Sequence, residues 1–146
     1  MTFSIYLQIL LAVIIAVAFL AFWQGERDEK AAAGIVITAN VCEVLVQQLA
    51  GVHGKQYGAL VIDAVALVLF GVIAWRSVRS WPIWATSFQA VSTSVLLAGV
   101  VGMRVGQNAY AAAVNLADYG VLGSLGVGVF LAWREREALS GPKPIL

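Results

Sequence analysis

The sequence predicts an all-α integral membrane bundle of five transmembrane helices, and three observations predict it. Of 146 residues, 61% are hydrophobic and only 12% charged, whereas water-soluble domains hold roughly 45–50% apolar and about 25% charged residues. Mean hydropathy is +0.88, an excess of apolar surface that an aqueous core of this length has no room to hide. The apolar residues also fall into five runs, 3–23, 31–51, 57–75, 82–103 and 109–133, each near the ~20 helical residues that cross a hydrocarbon core of about 30 Å.

The first run lacks a basic leader, exceeds the length of a signal-peptide core, and passes from Phe22-Trp23 into charges without a small-residue cleavage site. It is therefore expected to be retained as a helix. Gly25 with Glu26, Asp28 and Glu29 ends it and sets acids near the start of the second helix, where the positive helix end favours them. The second run is interrupted by Asn40, Glu43, Gln47 and Gln48. Pro82 opens the fourth, where its missing N–H costs little. Ser140-Gly141-Pro142-Lys143-Pro144 is unable to continue the fifth helix, leaving 134–146 as a short tail. Connectors of seven, five, six and five residues leave no loop that houses a folded domain, so the chain reads as one transmembrane domain.

Charge arithmetic keeps the second run. With five spans, Arg27, Lys30, Arg76, Arg79, Arg134, Arg136 and Lys143 fall on one side of the bilayer, and only Lys55 and Arg104 on the other. The positive-inside rule then sets the amino terminus outside and the carboxyl tail in the cytoplasm. Trp23, Trp75, Trp81, Trp84 and Trp133 all lie at the cytoplasmic span ends, and Tyr6, Tyr57 and Tyr110 near the outer ends, the positions expected of interfacial anchors. Four spans would scramble both patterns.

A net charge of +1 excludes the basic footprint of a nucleic-acid binder, so no nucleic-acid partner is expected. One cysteine, Cys42, closes no intrachain disulfide, and with one histidine, His53, it falls short of the usual four-ligand zinc site. His53 falls in the outer connector and reads as solvated, and Cys42 as a small hydrophobe.

Ionisable groups within hydrocarbon cost several kcal/mol each, so they mark where function is sought first. There are three, Glu43, Asp63 and Asp118, about 12, 9 and 14 Å below the outer boundary at ~1.5 Å per residue. Asn40, Glu43 and Gln47 make one stripe of the second helix; Thr86, Gln89 and Thr93 repeat the spacing on the fourth; Asn115 and Asp118 share a face of the fifth. These faces are expected to point inward. One reading is a pocket opening outward, whose carboxylates share a proton or hold a cation, with Arg104, Lys55 and His53 able to neutralise them. The other is protonated or paired glue between helices.

The fifth helix carries Gly120-x-x-x-Ser124-x-x-x-Gly128, a small-residue face that lets backbones approach closely. Whether its contact is internal, with a second copy or with another protein stays open; Gly99-x-x-Gly102 is a weaker sign of the same kind.

Arg79-Ser80-Trp81-Pro82-Ile83-Trp84, followed by Phe88-Gln89, resembles an R-x-W-P-I/L-W-x-x-x-F-Q element of uncharacterised small bacterial membrane proteins. The resemblance spans the third to fifth helices and implies a bacterial inner-membrane protein, with no activity to carry over. Asn40-x-x-Glu43 is similar to part of the glutathione-site motif of membrane-associated eicosanoid and glutathione enzymes, but Val36 stands where that motif has arginine and five spans replace four.

There is no GxSxG, Walker loop or HExxH, and catalysis is not expected. The favoured expectation is a non-catalytic accessory, assembly or stabilising subunit in contact with lipid and with other membrane subunits or further copies of itself. The alternative is an oligomeric proton- or cation-linked channel or transporter using Glu43, Asp63 and Asp118.

Overall fold

A computed structural model of the chain describes residues 3–104 and 106–141. The described residues form five helices and no strand: α1 (Phe3–Gln24), α2 (Arg27–Leu49), α3 (Val52–Arg76), α4 (Trp81–Val100) and α5 (Gln107–Ser140). Connectors of two, two, four and six residues force successive helices antiparallel. Each helix packs on its chain neighbours, α1 returns to α5, and α2 also touches α5, so the bundle closes on α5.

Four helices, α2 to α5, are long and apolar enough to cross a membrane. In α1 the apolar stretch counted among fully described residues, Gln8–Gln24, is shorter than that measure, although the helix itself has 22 residues. The outward surface is apolar along the whole bundle: Ile15 and Phe19 on α1, Val61 and Val68 on α3, Leu116 and Phe130 on α5 are all exposed. Such a continuous belt fits lipid contact and not water.

The core is built on small residues. Ala18, Ala21, Ala32, Ala33 and Ala85 are buried and bring the helices close, around Phe70, Trp81 and Leu125, and Ala132 is buried as well. The Gly120/Ser124/Gly128 face is part of this core. A side chain at Gly120 would collide with the Phe88 ring, and one at Gly128 would lie 2.7 Å from the Trp81 indole. Its contact is thus internal, with α4, and the Ser124 hydroxyl is spent on the Gly120 carbonyl of its own helix (2.7 Å). Gly99 plays the same part in the opposite direction, since a Cβ there would lie 3.1 Å from the Tyr110 ring of α5.

The helices run further than hydropathy implied. α2 starts at Arg27 and not at residue 31, α3 at Val52 and not at 57, and α5 continues to Ser140, seven residues past the expected end. Lipid-like composition marks only the span, whereas backbone hydrogen bonding continues through Arg134, Glu135, Arg136 and Glu137, all tolerated in a helix. The tail expected from 134 is therefore helical through Ser140; residues 142–146, Lys143 among them, lie outside the described residues. His53 belongs to the first turn of α3 and not to a connector, and its side chain, like that of Tyr6, lies outside the described residues.

α4 ends at Val100, three residues early, in a Schellman turn. The Met103 N–H donates to Ala98 O (3.1 Å) and the Gly102 N–H to Gly99 O (3.2 Å), the pairing that satisfies the last helical carbonyls. Gly102 holds φ at +81°, a conformation in which a Cβ crowds the following carbonyl. Gly102→Ala is accordingly expected to cost about 1 kcal/mol, read as a lowered unfolding midpoint in detergent micelles. Gly106→Ala, in the same connector but without the positive φ, should cost less.

Candidate functional site: an interior carboxylate cavity above a buried clamp

At the end of the bundle where α1 turns into α2, Glu26 and Glu29 form a reciprocal capping box around the first turn of α2. The Glu26 backbone N–H donates to Glu29 Oε2 (2.9 Å). Glu29 is fully buried, at 0% exposure, and its other oxygen accepts two hydrogen bonds, from the Arg79 guanidinium (2.8 Å) and from Trp81 Nε1 (3.0 Å). Arg79 also reaches Glu26 (3.2 Å) and Glu135 (2.5 Å). Arg136 donates to the Gln24 carbonyl (2.5 Å). Burial disfavours the charge on Arg79, yet the hydrogen bond and charge of Glu29, with Glu26 and Glu135 beside them, hold the guanidinium above its ordinary value.

This clamp joins the α1–α2 turn, the α3–α4 connector and the far end of α5. It corrects the expectation for Trp81. Trp23, Trp75, Trp84 and Trp133 are exposed as interfacial rings should be, but Trp81 is 1% exposed, its indole lying over Gly128 and its N–H spent on Glu29. A tryptophan whose N–H has a buried carboxylate to meet is more stable inside than at the headgroups. Glu29 itself was legible only as one of several acids at a helix start; the Glu-x-x-Glu spacing of a capping box was the available signal.

Halfway along the bundle, α1 to α5 enclose a cavity of about 50 Å³, several times the ~10–15 Å³ that one water needs. Asn40, Glu43, Asp63, Gln89 and Asp118 all line it, walled by Leu10, Ile14, Phe70 and Leu122 among others. Three carboxyl groups from three helices thus share one small space. Asp63 is buried and accepts a hydrogen bond from the Ser92 hydroxyl (2.7 Å), with Gln89 as a second side-chain partner. Ser92, one helical turn beyond Gln89, escaped the sequence reading because serine on an apolar helix is normally bonded to its own backbone, as Ser94 is here. Asn40, also in the lining, donates its amide N–H to the Val36 carbonyl of its own helix (2.9 Å).

Other candidate residues lie elsewhere. Gln47 lines a second cavity nearer the α2–α3 turn, with Glu43, Lys55, Gln56 and Tyr110. Arg104 is exposed in the α4–α5 connector and lines neither space. Asn115 is exposed on α5, against the expectation that it points inward with Asp118; at 100° per residue a three-residue step rotates it 60° away, enough to leave the cavity. Thr86 and Thr93 are half-buried and return their hydroxyls to the Pro82 and Gln89 carbonyls (2.7 and 2.9 Å).

None of the described residues lining the carboxylate cavity is basic. Among the described residues no three His, Cys, Asp or Glu side chains stand close enough to hold one metal ion. The site's chemistry is therefore that of separate carboxyls in a narrow, partly polar space, suited to exchanging protons through water. No family model matches the chain, and neither curated proteins nor solved structures provide a match.

Proposed function

We propose that the chain is a multi-pass protein of the bacterial cytoplasmic membrane, crossing it five times with the amino terminus outside, and that it moves or stores protons as a unit of a channel or transporter. The observation that carries this is the convergence of Glu43, Asp63 and Asp118 on one cavity with no basic residue in its lining. Carboxylates this deep in a bundle are costly unless they are neutralised by protons or a cation. Protons are favoured over a divalent ion because the three acids do not group tightly enough to share one. The seven-against-two distribution of Lys and Arg supports the orientation.

A second reading, a non-catalytic accessory subunit of a larger membrane complex, draws on a different feature. Ala31, Gly34, Thr38 and Cys42 of α2 face Val61, Val65 and Leu69 of α3 across an open apolar groove, and a side chain at Gly34 would meet nothing within 4 Å. Small residues beside open space suit the seating of a neighbouring helix.

Purified protein in proteoliposomes, with an imposed membrane potential and a trapped pH dye, separates the two. Proton flux well above protein-free vesicles is expected, falling to that background in Asp63→Asn and Asp118→Asn while gel filtration stays unchanged. A wild type without flux, together with a fixed-stoichiometry partner in native mass measurement of the mild-detergent extract, would establish the accessory role instead.

A further inference from the structure

We infer that the carboxylate cavity is reached by water from one side only, through a vestibule at the α2–α3 turn whose inner wall is Glu43. Two cavities share that residue. The inner one holds Asp63 and Asp118; the outer one, larger at about 290 Å³, is lined by Gln47, Lys55, Gln56, Ala59, Leu96 and Tyr110 together with Glu43. Chain direction orders them along the bundle axis. Gln47 follows Glu43 toward the end of α2, Lys55 and Ala59 precede Asp63 near the start of α3, and Tyr110 precedes Asp118 near the start of α5. The outer cavity therefore lies at the bundle end formed by the α2–α3 and α4–α5 connectors, where Gln47, Lys55 and Gln56 are exposed.

Toward the opposite end the bundle axis is packed with side chains. Beyond Phe70 and Leu122 the axis is filled by Ala32, Ala85, Leu125 and Ala132, each buried, and then by Trp81 and the Glu29–Arg79 pair. A side chain as polar as glutamate, half-buried between a wet vestibule and an inner pair of aspartates, is placed to relay protons between them. This inference rests on the proton-handling reading for its purpose, but its test measures water access alone, so either is able to fail without the other.

The test uses the full chain in oriented proteoliposomes, with Cys42→Ser as background and a membrane-impermeant methanethiosulfonate added to one side at a time. Gln47→Cys and Ala59→Cys are expected to react quickly from the side of the α2–α3 turn and not from the other, Glu43→Cys to react more slowly from that same side, and Gln89→Cys to react only when Glu43→Ala is added. Reaction of Glu43→Cys or Gln89→Cys from the Trp81 side, or inertness of Gln47→Cys and Ala59→Cys from both sides, would overturn the inference. Unsubstituted protein provides an independent arm. A water-soluble carbodiimide with an amine nucleophile should modify Glu43, found by peptide mass, from the α2–α3 side alone; modification from the Trp81 side, or from neither, counts against the route.

Discussion

Arg79→Met is expected to lower the stability of the bundle by about 3 kcal/mol, near the lower end of the cost of removing one partner from a buried ion pair. The lower end applies because the Arg79 side chain keeps 18% exposure, whereas that of Glu29 has none. Without the guanidinium, Glu29 retains the Trp81 N–H and the capping N–H of Glu26, neither of which carries a formal charge. Glu29→Gln should cost less, about 1–2 kcal/mol, since an amide oxygen still accepts from Arg79 and Trp81. The pair of substitutions together should be milder than their sum, because the buried charge that makes Arg79→Met costly is then absent. Glu26 and Glu135 are more than half exposed in the same network, and Glu135→Gln should cost under ~1 kcal/mol. Unfolding titrations in mixed detergent micelles measure all four; equal losses for Arg79→Met and Glu135→Gln would show that the clamp is a surface network and not a buried one.

The contrast between this clamp and the carboxylate cavity explains which parts of the molecule were legible in the sequence. An acid within an apolar run announces itself, because hydrocarbon offers it no solvent. Glu43, Asp63 and Asp118 were visible for that reason, and a shared depth was enough to suggest one layer. Glu29 gave no such signal. It sits among Glu26, Asp28 and Lys30 in a charged stretch, and only the fold turns that stretch inward over Trp81. The same blindness misassigned Trp81, since a tryptophan beside arginine and proline at a span end has the composition of an anchor whether its ring faces lipid or core. Periodicity on a single helix also separates faces too coarsely. Asn115 and Asp118 are one turn apart yet fall on either side of the cavity wall, and Ser92 hides among serines that bond their own backbone. Helix ends were misjudged because the hydropathy boundary reports the edge of the lipid, while the helical backbone stops where local hydrogen bonding does, at the Gly102 turn for α4 and at Gly141 for α5.

The clamp and the helix-packing face are one device, and a single methyl group tests the link. In Gly128→Ala the new Cβ would lie 2.7 Å from the Trp81 ring, so either α5 retreats from α4 or the indole tilts away and stretches its 3.0 Å bond to Glu29. Overpacking of this kind costs about 1–3 kcal/mol, opposed by the ~0.8–1.0 kcal/mol that alanine gains over glycine within a helix. The expected net effect is destabilising. Gly126→Ala, two residues earlier on the same helix with nothing within 4 Å of its Cβ, receives the helical gain without the collision and should be neutral or stabilising. Trp81→Phe removes the ring that collides and the N–H that bonds Glu29; on its own it should be costly, but in the Gly128→Ala background part of its cost should vanish, because the smaller ring admits the methyl. The interaction energy between the two sites, measured by a double-mutant cycle on unfolding midpoints, is therefore expected to be favourable. Should Gly128→Ala stabilise the protein as Gly126→Ala does, α4 and α5 do not meet through Trp81 and Gly128, and the packing beneath the carboxylate cavity loses its support.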